Sequence, residues 1–263
     1  MIERFRQEEI MSKVFNTTAV CIPEEHYMVD IAQRLQEIKA LVDDGKYFTI
    51  NKARQYGKTT TLIELKRLLE AEYYVVLMDF QTFGSADFAN ENVFALSFCH
   101  SFLRLFKKCK PTLNDDLKET LNDLKNHVDN RYDYFTLKPL FEGLGDICQF
   151  SDKPIVLMID EVDSASNNQV FLDFLAQLRA QYIERDINRF QQPAFKSVIL
   201  AGVYDVKNLR HKIRPDEKHK YNSPWNIAAD FKIDMSFSKT EIAGMLQEYE
   251  KDHHTGMNVD EIA

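Results

Sequence analysis

Glycine and proline are scarce in this chain, at 8 and 7 of 263 residues. That disfavours a strand-and-turn architecture and points to long helices with compact connections. Positive charge is also short: 33 Lys and Arg face 41 Asp and Glu, a net charge of −8. Such a surface repels polyanions, so a broad nucleic-acid interface is disfavoured and only a local basic groove stays open. The four cysteines, Cys21, Cys99, Cys109 and Cys148, show no C-x-x-C spacing and no paired framework. They read as free or buried thiols in a reducing compartment. The first residues, Met-Ile-Glu-Arg-Phe-Arg-Gln-Glu-Glu, carry charge where a signal peptide needs an apolar core. No run approaches the ~18 apolar residues of a membrane span. The expectation is a soluble, cytoplasmic protein with no membrane partner.

What the chain does have is apolar material: 44% hydrophobic and 12% aromatic residues, enough for a core. Its length exceeds the usual ~150 residues per domain, so one large domain, or a domain plus a fragment, is expected. Apolar positions Ile31, Leu35, Ile38, Leu41 and Val42 predict a helix over 27–44, which Gly45 stops. Residues 47–50 predict a buried strand and 59–72 a helix. Residues 73–80, "YYVVLMDF", lack alternation, as a strand covered on both faces does. Helices are expected over 88–106, 113–128 and 135–148. "PIVLMID" (154–160) is the most apolar strand, and a helix carrying Val170, Phe171, Phe174, Leu175 and Leu178 follows it. Strands over 195–203 and 231–237 and a helix opened by Ser238-Lys-Thr-Glu241, a capping box, complete the series. Alternating strands and helices predict an α/β fold with a parallel sheet.

The chemistry sits at two strand ends. After Tyr47–Ile50 comes "NKARQYGKTTTL", which ends like a phosphate-binding loop but has Lys52 where the first glycine is usual. A phosphate site needs a strand, a turn of backbone amides and a helix N-terminus directed at the anion. Lys52, Ala53, Arg54, Gln55, Tyr56, Gly57, Lys58, Thr59 and Thr60 are the candidates for that cradle. Gly57 lets the backbone approach, Lys58 reaches the β/γ oxygens and Thr59 ligates Mg²⁺. The triplet Gly-Lys-Thr alone also occurs by chance. The second element is "PIVLMIDEVD", where Asp160 and Glu161 end an apolar strand. Two stacked acids are electrostatically unfavourable unless a cation is near. Asp160 is then the metal carboxylate and Glu161 the base that activates water; the plainer alternative is a solvated strand end. Asp163 reads as an N-cap or loop-ordering residue. Cys99-His100 and His253-His254 lack the spacing of a zinc site. Trp225 reads as the anchor of a connector, and Lys107-Lys108-Cys109-Lys110 as a basic helix end.

"YFTINKARQYGKTTTL", "VVLMDFQ", "PIVLMIDEVDSA", "SVILAGVYDVKNLR" and "SPWNIAADFKIDMSFSKTEI" together resemble the predicted AAA-like ATPases of bacteria and archaea, additional-strand P-loop ATPases near the AAA+ and STAND groups. The likeness spans roughly residues 15–250. It implies a P-loop three-layer sandwich with a five-stranded parallel sheet in the order 5-1-4-3-2, and makes Lys52 a family variant. It implies ATP as the nucleotide. It implies a lead-in over 1–46, a core over 47–237 with a helical insertion at about 107–150, and the start of a helical lid over 238–263. Family members are often fused to a nuclease-like PD-(D/E)XK region, but no such motif stands here. For the polar sensor the likeness implies after "SVILAGV", Asp205 and Asn208 are the candidates, and Asn208 is preferred because an acidic side chain there would repel the phosphate. Arg210 and Arg214 are charge-stabilising candidates, and His26–Val29 a cover for adenine. The resulting expectation is Mg-dependent ATP hydrolysis coupled to conformational change in the chain or in an unidentified protein partner, self-association included. The alternatives are a nucleotide-gated interaction switch with little turnover, or a DNA-handling ATPase of a defence or mobile-element system.

Overall fold

A computed structural model of the chain describes residues 13–17, 20–187, 193–203 and 225–263. The chain divides into two compact units, Leu35–Ile233 and the paired segments Met1–Arg34 and Asp234–Ala263. In chain order, Val14–Phe15 (β1) pairs in parallel with His26–Tyr27 (β2), and helix α1 follows at Ala32–Asp43. The helix expected over 27–44 therefore starts later. Its first residue, Tyr27, is in the β2 pairing, and the Asp30 carboxylate accepts the Ala32 amide at 2.8 Å, marking the helix start.

The larger unit is built on β3 (Tyr47–Asn51), α2 (Lys58–Leu69), β4 (Tyr74–Asp79), α3 (Glu91–Lys108), α4 (Asp115–Asn130), α5 (Leu137–Phe150), β5 (Ile155–Asp160), α6 (Gln169–Ile187) and β6 (Ser197–Gly202). Its sheet is four-stranded and parallel, in the order β3-β6-β5-β4. Every residue of β5 and β6 is buried, which requires cover on both faces and explains their unbroken apolar sequence.

The fifth strand expected over 231–237 is not formed. The chain instead meets the free edge of β3 at one parallel bridge, Phe48 with Ala229, where the Ala229 amide donates to the Tyr47 carbonyl at 2.8 Å. Phe231 stacks on Phe48 with ring centroids 5.8 Å apart. Asp234 then accepts both the amide and the hydroxyl of Ser236, a local turn that competes with extended pairing.

Helix α3 shows how the helices are made. Asn90 caps it through the Val93 amide at 2.9 Å, and Phe94, Phe98, Phe102 and Phe106 recur at every fourth residue. All four rings are buried in one core with Phe171, Phe174 and Phe195. Each such burial contributes about 1.5–3 kcal/mol. On α2 the same spacing buries Thr61, Leu62, Leu65 and Leu69, which fixes the roll of the helix that begins at Lys58.

In the smaller unit, Ser238 and Glu241 form the capping box of α7 (Lys239–His253), and α8 (Val259–Ile262) closes the chain. Tyr27 is buried there. Its hydroxyl donates to Asp252 at 2.8 Å and its ring packs on Phe15 and Tyr249. No helix among the described residues is long and apolar enough to cross a membrane.

Candidate functional site

Strand β3 ends at Asn51, and the Lys52 amide still donates to the Gly202 carbonyl at the tip of β6, 3.1 Å away. Beyond that bond the chain leaves the sheet and turns within six residues into α2. Two loop residues, Gln55 (φ 65°) and Gly57 (φ 68°), are left-handed. Left-handed residues in such a loop are how successive N–H groups come to share one concave side, the form of an anion-binding nest. Gly57 is the N-cap of α2 and supplies no side chain to cover its first amides. Ala53, Arg54, Gln55 and Tyr56 are exposed along this loop, while Thr60 is half-buried behind it.

Lys58, the first residue of α2, is only 6% exposed. Its ammonium is held by the loop, donating to the carbonyls of Lys52 at 2.9 Å and Ala53 at 3.0 Å. Thr59, next on the helix, donates its hydroxyl to Asp160 Oδ2 at 2.7 Å, across 101 residues of sequence. The Gly57-Lys58-Thr59 corner and the acidic strand tip thus meet directly. The other Asp160 oxygen accepts the Glu161 amide at 2.9 Å.

Asp160 is 5% exposed, and no ion pair reaches it among the described residues. A carboxylate this buried is costly unless charge or hydrogen bonds compensate it. A hydroxyl and a carboxylate are hard oxygen donors suited to Mg²⁺. No three or more His, Cys, Asp or Glu side chains form a metal cage among the described residues.

Glu161 is half-buried, with a left-handed backbone (φ 54°). Its carboxyl is pushed above the usual range, first by burial, then by the charge of Asp160, with Asp163 and Asp79 adding to it and Lys58 opposing. A raised carboxyl is better matched to taking a proton near neutrality.

Asp79 escaped the sequence reading. It ends β4 in register with Asp160, so the two central acids stand side by side at neighbouring strand ends. Its own Oδ1 accepts the Gln81 amide at 2.8 Å. The available signal was an apolar strand closing on an acid, "VVLMD", the same pattern that marked Asp160. Asp163 accepts the Val203 amide beyond β6. Asp205, Asn208, Arg210 and Arg214 lie outside the described residues.

The remaining residues singled out by sequence are elsewhere. Trp225 is fully buried, donating to Thr49 Oγ1 at 2.9 Å and stacking on Tyr47. Cys99 is buried in the core, which pushes its thiol up to about 12. His253 stacks on Tyr249 in the smaller unit.

A family model described as an AAA-like domain matches residues 18–261. No significant match was found among curated proteins. Among solved structures, the Walker-type ATPase of Pyrococcus abyssi is similar, with a TM-score of 0.58 at 15% identity over 89% of this chain and 61% of that one. The present chain thus spans less than two thirds of that protein's length, and the likeness is one of fold. Cdc6p from Pyrobaculum aerophilum aligns at a TM-score of 0.39 and 14% identity, over 84% of this chain and 49% of its own.

Proposed function

Because the chain belongs to the AAA-like domain family, we propose that the corner formed by Gly57, Lys58, Thr59, Asp160 and Glu161 binds ATP with Mg²⁺ and hydrolyses it. The observation that carries this reading is the Thr59–Asp160 hydrogen bond, which brings a helix-start hydroxyl and a buried carboxylate to one point. Residues 52–60 present backbone amides to the phosphates. Lys58 exchanges the carbonyls of Lys52 and Ala53 for phosphate oxygens. Thr59 and Asp160 are the residues that would hold Mg²⁺, which when bound offsets the charge of the phosphate oxygens. Glu161 orients a water and accepts its proton as the water oxygen bonds to the γ-phosphorus; the bond to the bridging oxygen breaks, leaving ADP and phosphate. The segment 238–263, with α7, is read as part of a helical lid.

Lys58→Ala is expected to weaken ATP binding by about 100-fold, as charge-assisted bonds worth roughly 1.5–3 kcal/mol are lost. Glu161→Gln should retain ATP and lower the hydrolysis rate by on the order of 10²–10⁴. Chelating Mg²⁺ with EDTA should stop phosphate release in the wild type. Isothermal titration and steady-state phosphate release measure these effects. Turnover indifferent to Glu161→Gln would remove that residue from the mechanism. Tight binding by the wild type without turnover would make the chain a nucleotide-gated switch.

A further inference from the structure

A left-handed backbone is costly for a residue with a Cβ, and Glu161 adopts one (φ 54°). Such conformations persist only where the surroundings impose them, and they gather at functional sites. The three residues after Glu161 supply that imposition, each from a different part of the larger unit. Val162 is buried in the core. Ser164 Oγ bonds the Phe80 carbonyl just past β4 at 3.0 Å and lies 2.9 Å from the carbonyl of Glu161 itself. Asp163 accepts the Val203 amide just past β6, while its own carbonyl takes the Ser166 hydroxyl at 2.8 Å.

The Asp163 contact leads to the phosphate loop. Strand β6 lies between β5 and β3. Its last residue, Gly202, accepts the Lys52 amide on one side. On the other side it abuts the acidic turn: a methyl group added there would lie 2.9 Å from Val162 Cγ2 and 3.0 and 3.1 Å from the two Asp163 oxygens. One carboxylate therefore joins the Glu161 turn to the strand that also anchors the start of the loop.

We propose that Asp163 is a positioning residue for the hydrolytic step: through the Val203 amide it holds Glu161 in register with the phosphate loop, without touching the nucleotide. This rests on the ATPase reading above.

The test compares Asp163→Ala, which deletes the acceptor, with Asp163→Asn, whose amide oxygen can still take the Val203 proton. Asp163→Ala should lower kcat by on the order of 10²-fold, the scale of a misplacement near 1 Å. KM for ATP and the affinity for ADP should stay within about twofold, since the lost interaction serves only the transition state. Asp163→Asn should restore most of kcat. Hydrogen exchange at Val203 and residues 162–165 should quicken in Asp163→Ala and not in Asp163→Asn. An unchanged kcat in Asp163→Ala overturns the proposal. So does a fall in nucleotide affinity in step with kcat, a chain that no longer folds, or an Asp163→Asn no better than Asp163→Ala. A wild type without turnover overturns both readings, whereas turnover abolished by Glu161→Gln and untouched by Asp163→Ala overturns this one alone.

Discussion

Gly57 and Gly202 look alike in sequence and are constrained by different physics. Around Gly57 a methyl group would meet nothing within 4 Å, but the residue sits at φ +68°. Its requirement is conformational, and Gly57→Ala should cost about 1–2 kcal/mol while disordering the turn that presents the phosphate-loop amides. Gly202 has ordinary φ and no room, because Val162 and Asp163 press against it. Gly202→Ala should therefore push the acidic turn away and lower turnover while ADP affinity holds. Thermal unfolding with ADP titration separates the two: Gly57→Ala loses affinity, Gly202→Ala keeps it. Only the first was legible in the sequence, where Gly-Lys-Thr follows a strand. The second depends on the tip of one strand meeting the turn after its neighbour, about 40 residues apart, as the Asp163–Val203 bond is. Tertiary register of that kind leaves no local pattern. Asp79 is a mixed case: "VVLMD" closes on an acid as "PIVLMID" does, a local signal, but its closeness to Asp160 comes from strand pairing.

At the scale of the element, the capping box is the clearest case of local chemistry dictating local structure. Ser238 Oγ accepts the Glu241 amide at 3.2 Å, and Glu241 Oε2 accepts the Ser238 amide at 2.7 Å. Ser238→Ala should cost α7 about 1 kcal/mol. The Glu241 carboxyl is held below the usual carboxylate range by the Ser238 amide and then by its hydroxyl. A depressed acid stabilises the folded helix above the ordinary carboxylate pKa, ~4.3, and that stabilisation is lost as pH falls through the lowered value. Amide protection in the first turn of α7 should thus be full at neutral pH and fall in acid, with Glu241→Gln removing the dependence. Ser-x-x-Glu was readable because its partners lie three residues apart. The fifth strand does not form, although Phe231, Ile233 and Met235 alternate as half-buried or buried residues: alternation reports which side chains are inward. It does not report whether a neighbouring strand is there to pair, and only Ala229 finds one. The unalternating, β-branched runs of β4, β5 and β6 were safer guides, since short apolar runs covered on both faces suit the interior of a parallel sheet.

On the scale of the whole larger unit, the two ends of the parallel sheet have separate duties. The corner proposed to bind the nucleotide lies where β3 and β5 finish. Where β3 and β6 begin, Arg185 from α6 is 5% exposed and donates to the carbonyls of Gly45 at 2.7 Å and of Phe195 and Lys196 at 2.9 Å. Its guanidinium also lies over the rings of Tyr47 and Tyr182, at 5.3 and 4.8 Å. A planar cation that satisfies three carbonyls between strand starts fixes the spacing of β3 and β6 and ties α6 to both. Arg185→Ala leaves those carbonyls buried without their donor, a loss of about 3 kcal/mol or more. For a chain of this size that lowers the unfolding midpoint by on the order of 10 °C. Because the site is built at the opposite strand ends, the affinity for ADP measured well below that midpoint should match the wild type. If Arg185→Ala lost nucleotide affinity while still fully folded, the strand starts and the strand ends would have to be coupled through β3 and β6, and the division of duties along the sheet would be wrong.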